Sequence, residues 1–155
     1  MTNYKQLWDK ILKDINDDDI VLEIKISNTD IQDWNNILNL IYENFSMLID
    51  FDNTSINLDE IKNLSLNYFP SSENDVMKYL TLNFKYFNLI LTLYDLEQIE
   101  FFTDSVIKLK IDDIKSLFLF CESISESLSK NIGIYCEGYR EYSILYNSKT
   151  SSWTY

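Results

Sequence analysis

Apolar residues along this chain fall into two periods. Tyr4, Leu7, Trp8, Ile11, Leu12 and Ile15 recur at spacings of three and four, one stripe of an amphipathic helix. Thr2 or Asn3 supplies its N-cap. Asn16 and the run Asp17-Asp18-Asp19 end it, because short polar side chains compete for backbone hydrogen bonds. From Ile20 to Ile26 the period changes to two: Ile20, Leu22, Ile24 and Ile26 point one way, and Val21, Glu23 and Lys25 the other, which predicts a strand with one buried face. A second helix carries Ile31, Trp34, Leu38, Ile41, Tyr42 and Phe45, and Thr29 with Gln32 fits a capping box ahead of it. Met47–Phe51 reads as a short strand and Asp52–Ser55 as a turn.

Ile56–Phe69 fits either a helical turn over Leu58–Asn63 or a strand through Leu64, Leu66 and Tyr68. The polar run from Pro70 to Asp75 is the clearest loop and the weakest point of a single domain. Strands follow at Met77–Phe84, Tyr86–Tyr94 and Gln98–Phe102, with Val106–Leu109 as a further short one. Ile114, Leu117, Phe118, Cys121, Ile124 and Leu128 return to the helical period, from a start at Asp112 or Asp113 to a stop at Asn131. Ile132–Glu137 and Tyr139–Tyr146 complete the strands as a hairpin turning at Glu137-Gly138. Trp153 and Tyr155 close a polar tail and are expected to dock on the body. Three main helices among runs of consecutive strands predict an α+β fold: an antiparallel or mixed sheet of about six to seven strands with the helices packed on it in two layers. The strand–helix–strand order on either side of residues 70–75 also fits a degenerate duplication.

Composition narrows the chemistry. With 46% hydrophobic and 15% aromatic residues, the chain has ample apolar surface to offset the entropy of ordering, so disorder is not expected. No apolar stretch approaches the roughly 20 residues of a membrane span. Met1–Lys10 lacks the apolar region of a signal peptide, which points to the cytoplasm. The 25 acidic against 13 basic residues give a net charge of −12. A nucleic-acid binder needs a basic stripe to displace counterions, and here lysines are scattered and Arg140 is the sole arginine, so direct nucleic-acid binding is not expected. The charge serves solubility, and it would also accelerate encounter with a basic protein.

Catalytic options are few. The 155 residues contain no histidine, the commonest general base and metal ligand, and two glycines leave nothing for a phosphate-cradling loop. Cysteine and serine nucleophiles normally need a neighbouring base, and no nucleophile-elbow, P-loop or dinucleotide motif occurs. Cys121 and Cys136 read as reduced, buried thiols, too few for a zinc site. Asp50-Phe51-Asp52 at a strand end resembles the D-x-D of some metal-dependent enzymes, but a chain this acidic produces that spacing by chance. The simpler reading is a solvated turn, as it is for Asp112-Asp113 and Asp17–Asp19. No cofactor or bound metal is implied.

Tyrosines offer a more specific signal. Tyr135, Tyr139, Tyr142 and Tyr146 crowd one hairpin beside Glu137, Arg140 and Glu141. Some of them must face outward, and exposed tyrosine beside acids has the composition of a protein-binding patch. Packing half-buried at a sheet edge is the plainer alternative. Glu97, Glu100 and Asp104 lie in a turn-and-strand region that could join the hairpin in one acidic surface. The candidate contact set is therefore Glu137, Tyr139, Glu141, Tyr142, Glu97, Glu100 and Asp104, with Asp17, Asp18 and Asp19 as a second acidic cluster.

The stretch Asp112-Asp113-Ile114-Lys115-Ser116-Leu117-Phe118 running into Ile134-Tyr135-Cys136-Glu137-Gly138, with usage rich in Asn, Ile and Lys, gives the chain a recognisable type. It resembles the bacterial immunity proteins of polymorphic-toxin and contact-dependent inhibition systems: small, acidic, cytoplasmic α+β domains without catalytic motifs. The likeness is one of type, so it carries no site residues across. It implies a tight complex with one cognate toxin domain, often a basic nuclease, whose active site or adjacent surface is covered. Two other readings share the charge: a different acidic binding module, such as a phage-encoded nucleic-acid mimic or an adaptor, and a metal-dependent enzyme built on carboxylates.

Overall fold

Among the described residues, seven strands form one antiparallel sheet with three helices packed against one of its faces, the α+β architecture expected. The computed structural model describes residues 1–13, 21–57, 68–72, 75–104, 106 and 108–155. The helices are α1 (Tyr4–Lys13), α2 (Ile31–Asn44) and α3 (Ile111–Leu128). The strands are β1 (Leu22–Ser27), β2 (Lys78–Asn83), β3 (Asn88–Asp95), β4 (Gln98–Thr103), β5 (Ile132–Cys136), β6 (Ile144–Asn147) and β7 (Ser152–Thr154). Their spatial order is β2-β3-β4-β1-β5-β6-β7. β1 thus sits at the centre, between strands drawn from more than 70 residues downstream, and ties the chain on either side of residues 70–75 into one sheet.

Alternation decides which side of each strand is covered. Leu22, Ile24 and Ile26 are fully buried, as are Leu89, Leu91 and Leu93 of β3 and Ile132 and Ile134 of β5. Trp34, Ile37, Leu38 and Ile41 of α2 and Leu117, Phe118, Cys121 and Ile124 of α3 meet that face. Phe120 is the hub, edge-on to Phe45, Phe84 and Phe101 with centroids 5.0, 5.7 and 5.6 Å away. Such edge-to-face contacts add about 0.5–1.5 kcal/mol each beyond area burial. On the other face no described helix covers the sheet. Glu23, Lys25, Ile90, Glu100, Phe102, Tyr135 and Leu145 lie there, all partly exposed.

Element ends show how local chemistry refined the pattern. Asn3 caps α1, its side-chain oxygen accepting from the Gln6 N–H at 3.2 Å. The cap of α2 is Asp30 in a reciprocal box with Asp33, not Thr29 with Gln32. Thr29 is buried instead, and its hydroxyl donates to the Leu96 carbonyl. α3 starts at Ile111, with Asp113 accepting from the Lys110 N–H, and it stops at Leu128, where Ser129 turns left-handed (φ 53°).

Met47–Phe51 is not a strand: Ser46–Leu48 form a 3-10 turn, Ile49 makes an isolated bridge to Leu82, and a turn follows. The Asp50 carboxylate is responsible, because it accepts from the N–H groups of Asp52 and Asn53 and closes the chain into an Asx-type turn. Val106 and Lys108 likewise lie outside any strand, Val106 buried in the core. The alternatives for Leu58–Asn63 and for Leu64 and Leu66 fall outside the described residues, as do Asp17, Asp18 and Asp19. The tail docks as expected: Trp153 packs edge-on to Phe118 at 5.0 Å and beside Tyr146 at 5.1 Å.

Candidate interaction surface

The hairpin expected at residues 132–146 opens into a loop. After β5, the Glu137 N–H donates to the Val21 carbonyl and the Tyr139 N–H to the Cys136 carbonyl, each at 3.0 Å. This tight turn needs Gly138, whose φ of 81° is the left-handed region that L side chains avoid. The chain rejoins the sheet at Ser143, where its N–H reaches the Ile134 carbonyl at 2.8 Å. Residues 139–142 are therefore not a strand, and Tyr139-Arg140-Glu141-Tyr142 has no sheet face to serve.

Tyr139, Arg140, Glu141 and Tyr142 all stand in solvent instead, with Tyr139 51% and Tyr142 46% exposed. Tyr142 is fixed by an edge-on contact with Tyr135 at 6.3 Å. Glu137 and Glu141 are exposed, and among the described residues neither joins an ion pair. Two tyrosines and two unpaired glutamates thus share one short loop.

Register places the other acidic candidates. Leu22 pairs with Cys136, Glu23 with Phe102, and Leu89 with Thr103, so the loop and Asp104 belong to the same end of the sheet. Asp104 is exposed, and its carboxylate also accepts from the Asn88 N–H at 2.9 Å. Glu97 lies at the other end of β4, about 20 Å away for a strand of this length. It serves the β3–β4 turn there: its N–H donates to Asp95 and its carbonyl accepts from Thr29. Glu100 is in the middle of the open face, bound to Lys25 at 3.1 Å, and Glu23 holds the same ammonium. The structure therefore brings Glu137, Tyr139, Glu141, Tyr142 and Asp104 to one end and leaves Glu97 and Glu100 elsewhere.

The Glu23–Lys25–Glu100 triad is the chief electrostatic feature of that face. Burial disfavours the Lys25 charge, but hydrogen bonds to Glu23 and Glu100 outweigh it and hold the pKa above the ordinary lysine value. Other candidate chemistry is taken up by structure. Asp50 spends both oxygens on its own turn, the second on the Asn53 amide at 2.8 Å. Cys121 is fully buried on α3, and burial, with Glu122 beside it, pushes its thiol pKa far up, so it is no thiolate at neutral pH. Cys136 is buried too, its sulfur 3.4 Å from the Ser143 hydroxyl. Among the described residues no cluster of three His, Cys, Asp or Glu could hold a metal ion, and no helix is long and apolar enough to cross a membrane.

A concave site escaped the sequence reading. A cleft of about 330 Å³ opens where the ends of β1, β5 and β6 meet the α3–β5 connection and the β6–β7 turn, with Lys25, Lys130, Lys149 and Tyr135 among its walls. Its residues come from separate segments and lie at no characteristic spacing, so no linear pattern marked it. No protein-family model, no curated protein and no solved structure matches the chain.

Proposed function

We propose that this chain is an immunity-type binding protein that neutralises a cationic toxin domain, such as a nuclease, by covering its active site or an adjacent surface. The observation that carries the reading is the Glu137–Tyr142 loop: two half-exposed tyrosines and two glutamates that join no ion pair among the described residues, on a body of net charge −12. Tyrosine supplies contact area at low entropic cost, and unpaired carboxylates complement a surface built to hold phosphates. Gly138 and the Ser143–Ile134 bond fix the two ends of the loop, which lowers the cost of ordering it on binding. Asp104, at the same end of the sheet, extends the anionic field.

The test is co-expression with toxin domains encoded beside this chain. The parent should restore growth, and the triple variant Glu137→Lys, Tyr139→Ala, Glu141→Lys should not. Full protection by the triple variant would remove the loop as the contact surface. Failure of the parent to bind or protect against any such domain would remove the immunity reading. Turnover of a small molecule by the pure protein would replace it with an enzymatic one.

A further inference from the structure

The cleft at the far end of β1 and β5 gathers lysines in an otherwise acidic chain. Its walls carry three lysines, three serines and two asparagines, and among the described residues no aspartate or glutamate lines it, in a chain with 25 of them. Two of the ammonium groups are held in place from behind. Lys25 is bound by Glu23 and Glu100. Lys130 donates to the Asn28 carbonyl at 2.5 Å and pairs with Asp33 at 3.4 Å. These three carboxylates offset the charge of Lys25 and Lys130, and Lys25 also lies over the Tyr135 ring, so the two ammonium groups offer the cleft at most one remaining N–H each. Lys149 is exposed on the rim, with no described ion pair, and keeps all three of its own.

The floor is shaped by Gly133. A Cβ there would meet the Tyr135 ring at 2.7 Å, so glycine is what lets that ring lie along the strand. Tyr135 and Leu145 give the cleft an apolar side next to its cationic one.

We propose that this cleft binds a phosphate-bearing small molecule, with its phosphate among the ammonium groups of Lys25, Lys130 and Lys149. Lysine acts on phosphate as a point charge with several donors, and the hydroxyls of Ser27, Ser129 and Ser148 can supply further donors to the same oxygens. The volume lies at the small end of ligand pockets, which suits a monosaccharide phosphate better than a dinucleotide. The net charge of −12 opposes anion approach from a distance, so affinity rests on contacts within the cleft.

The chain's two glycines provide the readout. Gly133 lines the cleft, and Gly138 lies in the turn beyond the opposite end of β5. In amide NMR titrations of the labelled protein, inorganic phosphate and ribose 5-phosphate should each shift Gly133 saturably and leave Gly138 in place, and ribose should do neither. Ribose 5-phosphate binding tighter than inorganic phosphate assigns the apolar side to the sugar; the reverse order keeps the phosphate site and removes the sugar contact. Lys149→Gln, a change on the exposed rim, should weaken binding about tenfold, the loss of one hydrogen bond to a charged group. The proposal falls if neither anion gives a saturable Gly133 shift, if Gly138 moves equally, if ribose alone shifts Gly133 as far, or if Lys149→Gln and Lys130→Gln both bind as the parent does.

Discussion

The indole N–H of Trp153, three residues from the C-terminal end, donates to the Glu122 carboxylate on α3 at 2.7 Å. The other oxygen of the same carboxylate accepts from the Tyr4 hydroxyl of α1 at 3.3 Å. One side chain thereby joins both ends of the described fold to its longest helix. Glu122→Gln keeps the shape and can still meet both partners, its oxygen accepting from Trp153 and its NH2 donating to the Tyr4 oxygen, but both bonds lose their charge. Exchanging charge-assisted bonds for neutral ones at this partly exposed site should cost about 1 kcal/mol. In urea unfolding the midpoint should fall with the slope unchanged, as for a loss of stability without a change in exposed area. Trp153→Phe, which keeps a ring against Phe118 and Tyr146, should cost about 1 kcal/mol in the parent and less in the Glu122→Gln background, where the bond it removes is a neutral one.

Gly133→Ala tests the floor of the cleft. Alanine normally gains over glycine in a strand, by about 0.5–1 kcal/mol. Here the new methyl would meet the far end of the Tyr135 side chain, which is part-exposed on the open face and can swing aside, so the strain stays below the roughly 1–3 kcal/mol of core overpacking. The displaced ring also loses its cation–π contact with Lys25, now 5.1 Å from the centroid. Gly133→Ala alone should therefore be close to neutral, the alanine gain offset by the displaced ring. In the Tyr135→Ala background the same substitution should be stabilising, and equal effects in the two backgrounds would contradict the steric account.

The strands and helices whose face is set by burial were legible in the sequence. Leu22, Ile24 and Ile26 alternate because one side of β1 is covered, and Trp34, Leu38 and Ile41 recur because one side of α2 is. Legibility failed where a side chain bonded to backbone rather than to a layer. Asp50 curls the chain after Ile49, and Asp30 outcompetes Thr29 as the cap of α2 because Thr29 is turned to Leu96. Residues 139–142 read in sequence as a continuing strand but do not pair, since Gly138 has already turned the backbone out of the sheet. The candidate surface was half visible for the same reason: loop residues close in sequence stay together, but the positions of Glu97, Glu100 and Asp104 follow from sheet register, which composition does not encode.

Alkaline pH should destabilise the fold through Tyr146 and Lys25. Burial, and then the hydrogen bond to Glu126 at 2.5 Å, raise the Tyr146 pKa from 10.0 to about 12. Between those values the native phenol keeps a proton that the unfolded chain has released, so stability falls as pH rises. The Lys25 pKa is raised as well, so its contribution is complete below the ordinary value of 10.5 and is lost as pH climbs through the folded one. Urea unfolding followed by circular dichroism across this range should show a steady decline in the parent and a shallower one in Tyr146→Phe. Parallel declines would show that Tyr146 does not carry the linkage.

Charge and aromatic substitutions in the loop should separate by rate. Glu137 and Glu141 are exposed and without described ion pairs, so reversing both to lysine should change stability by no more than about 0.5 kcal/mol. Against a bound cationic partner the double reversal should slow association and flatten its salt dependence, because rim charges act on encounter. Tyr139→Ala should instead speed dissociation, by more than tenfold if the ring is an anchor worth about 2 kcal/mol. Tyr142→Ala should do the same and also loosen the loop, since its ring rests on Tyr135. Surface plasmon resonance at two salt concentrations distinguishes the two effects. Equal association rates for the parent and the double reversal at low salt would mean that the carboxylates do not steer the encounter, and dissociation unchanged by either tyrosine substitution would mean that the loop is not where the partner sits.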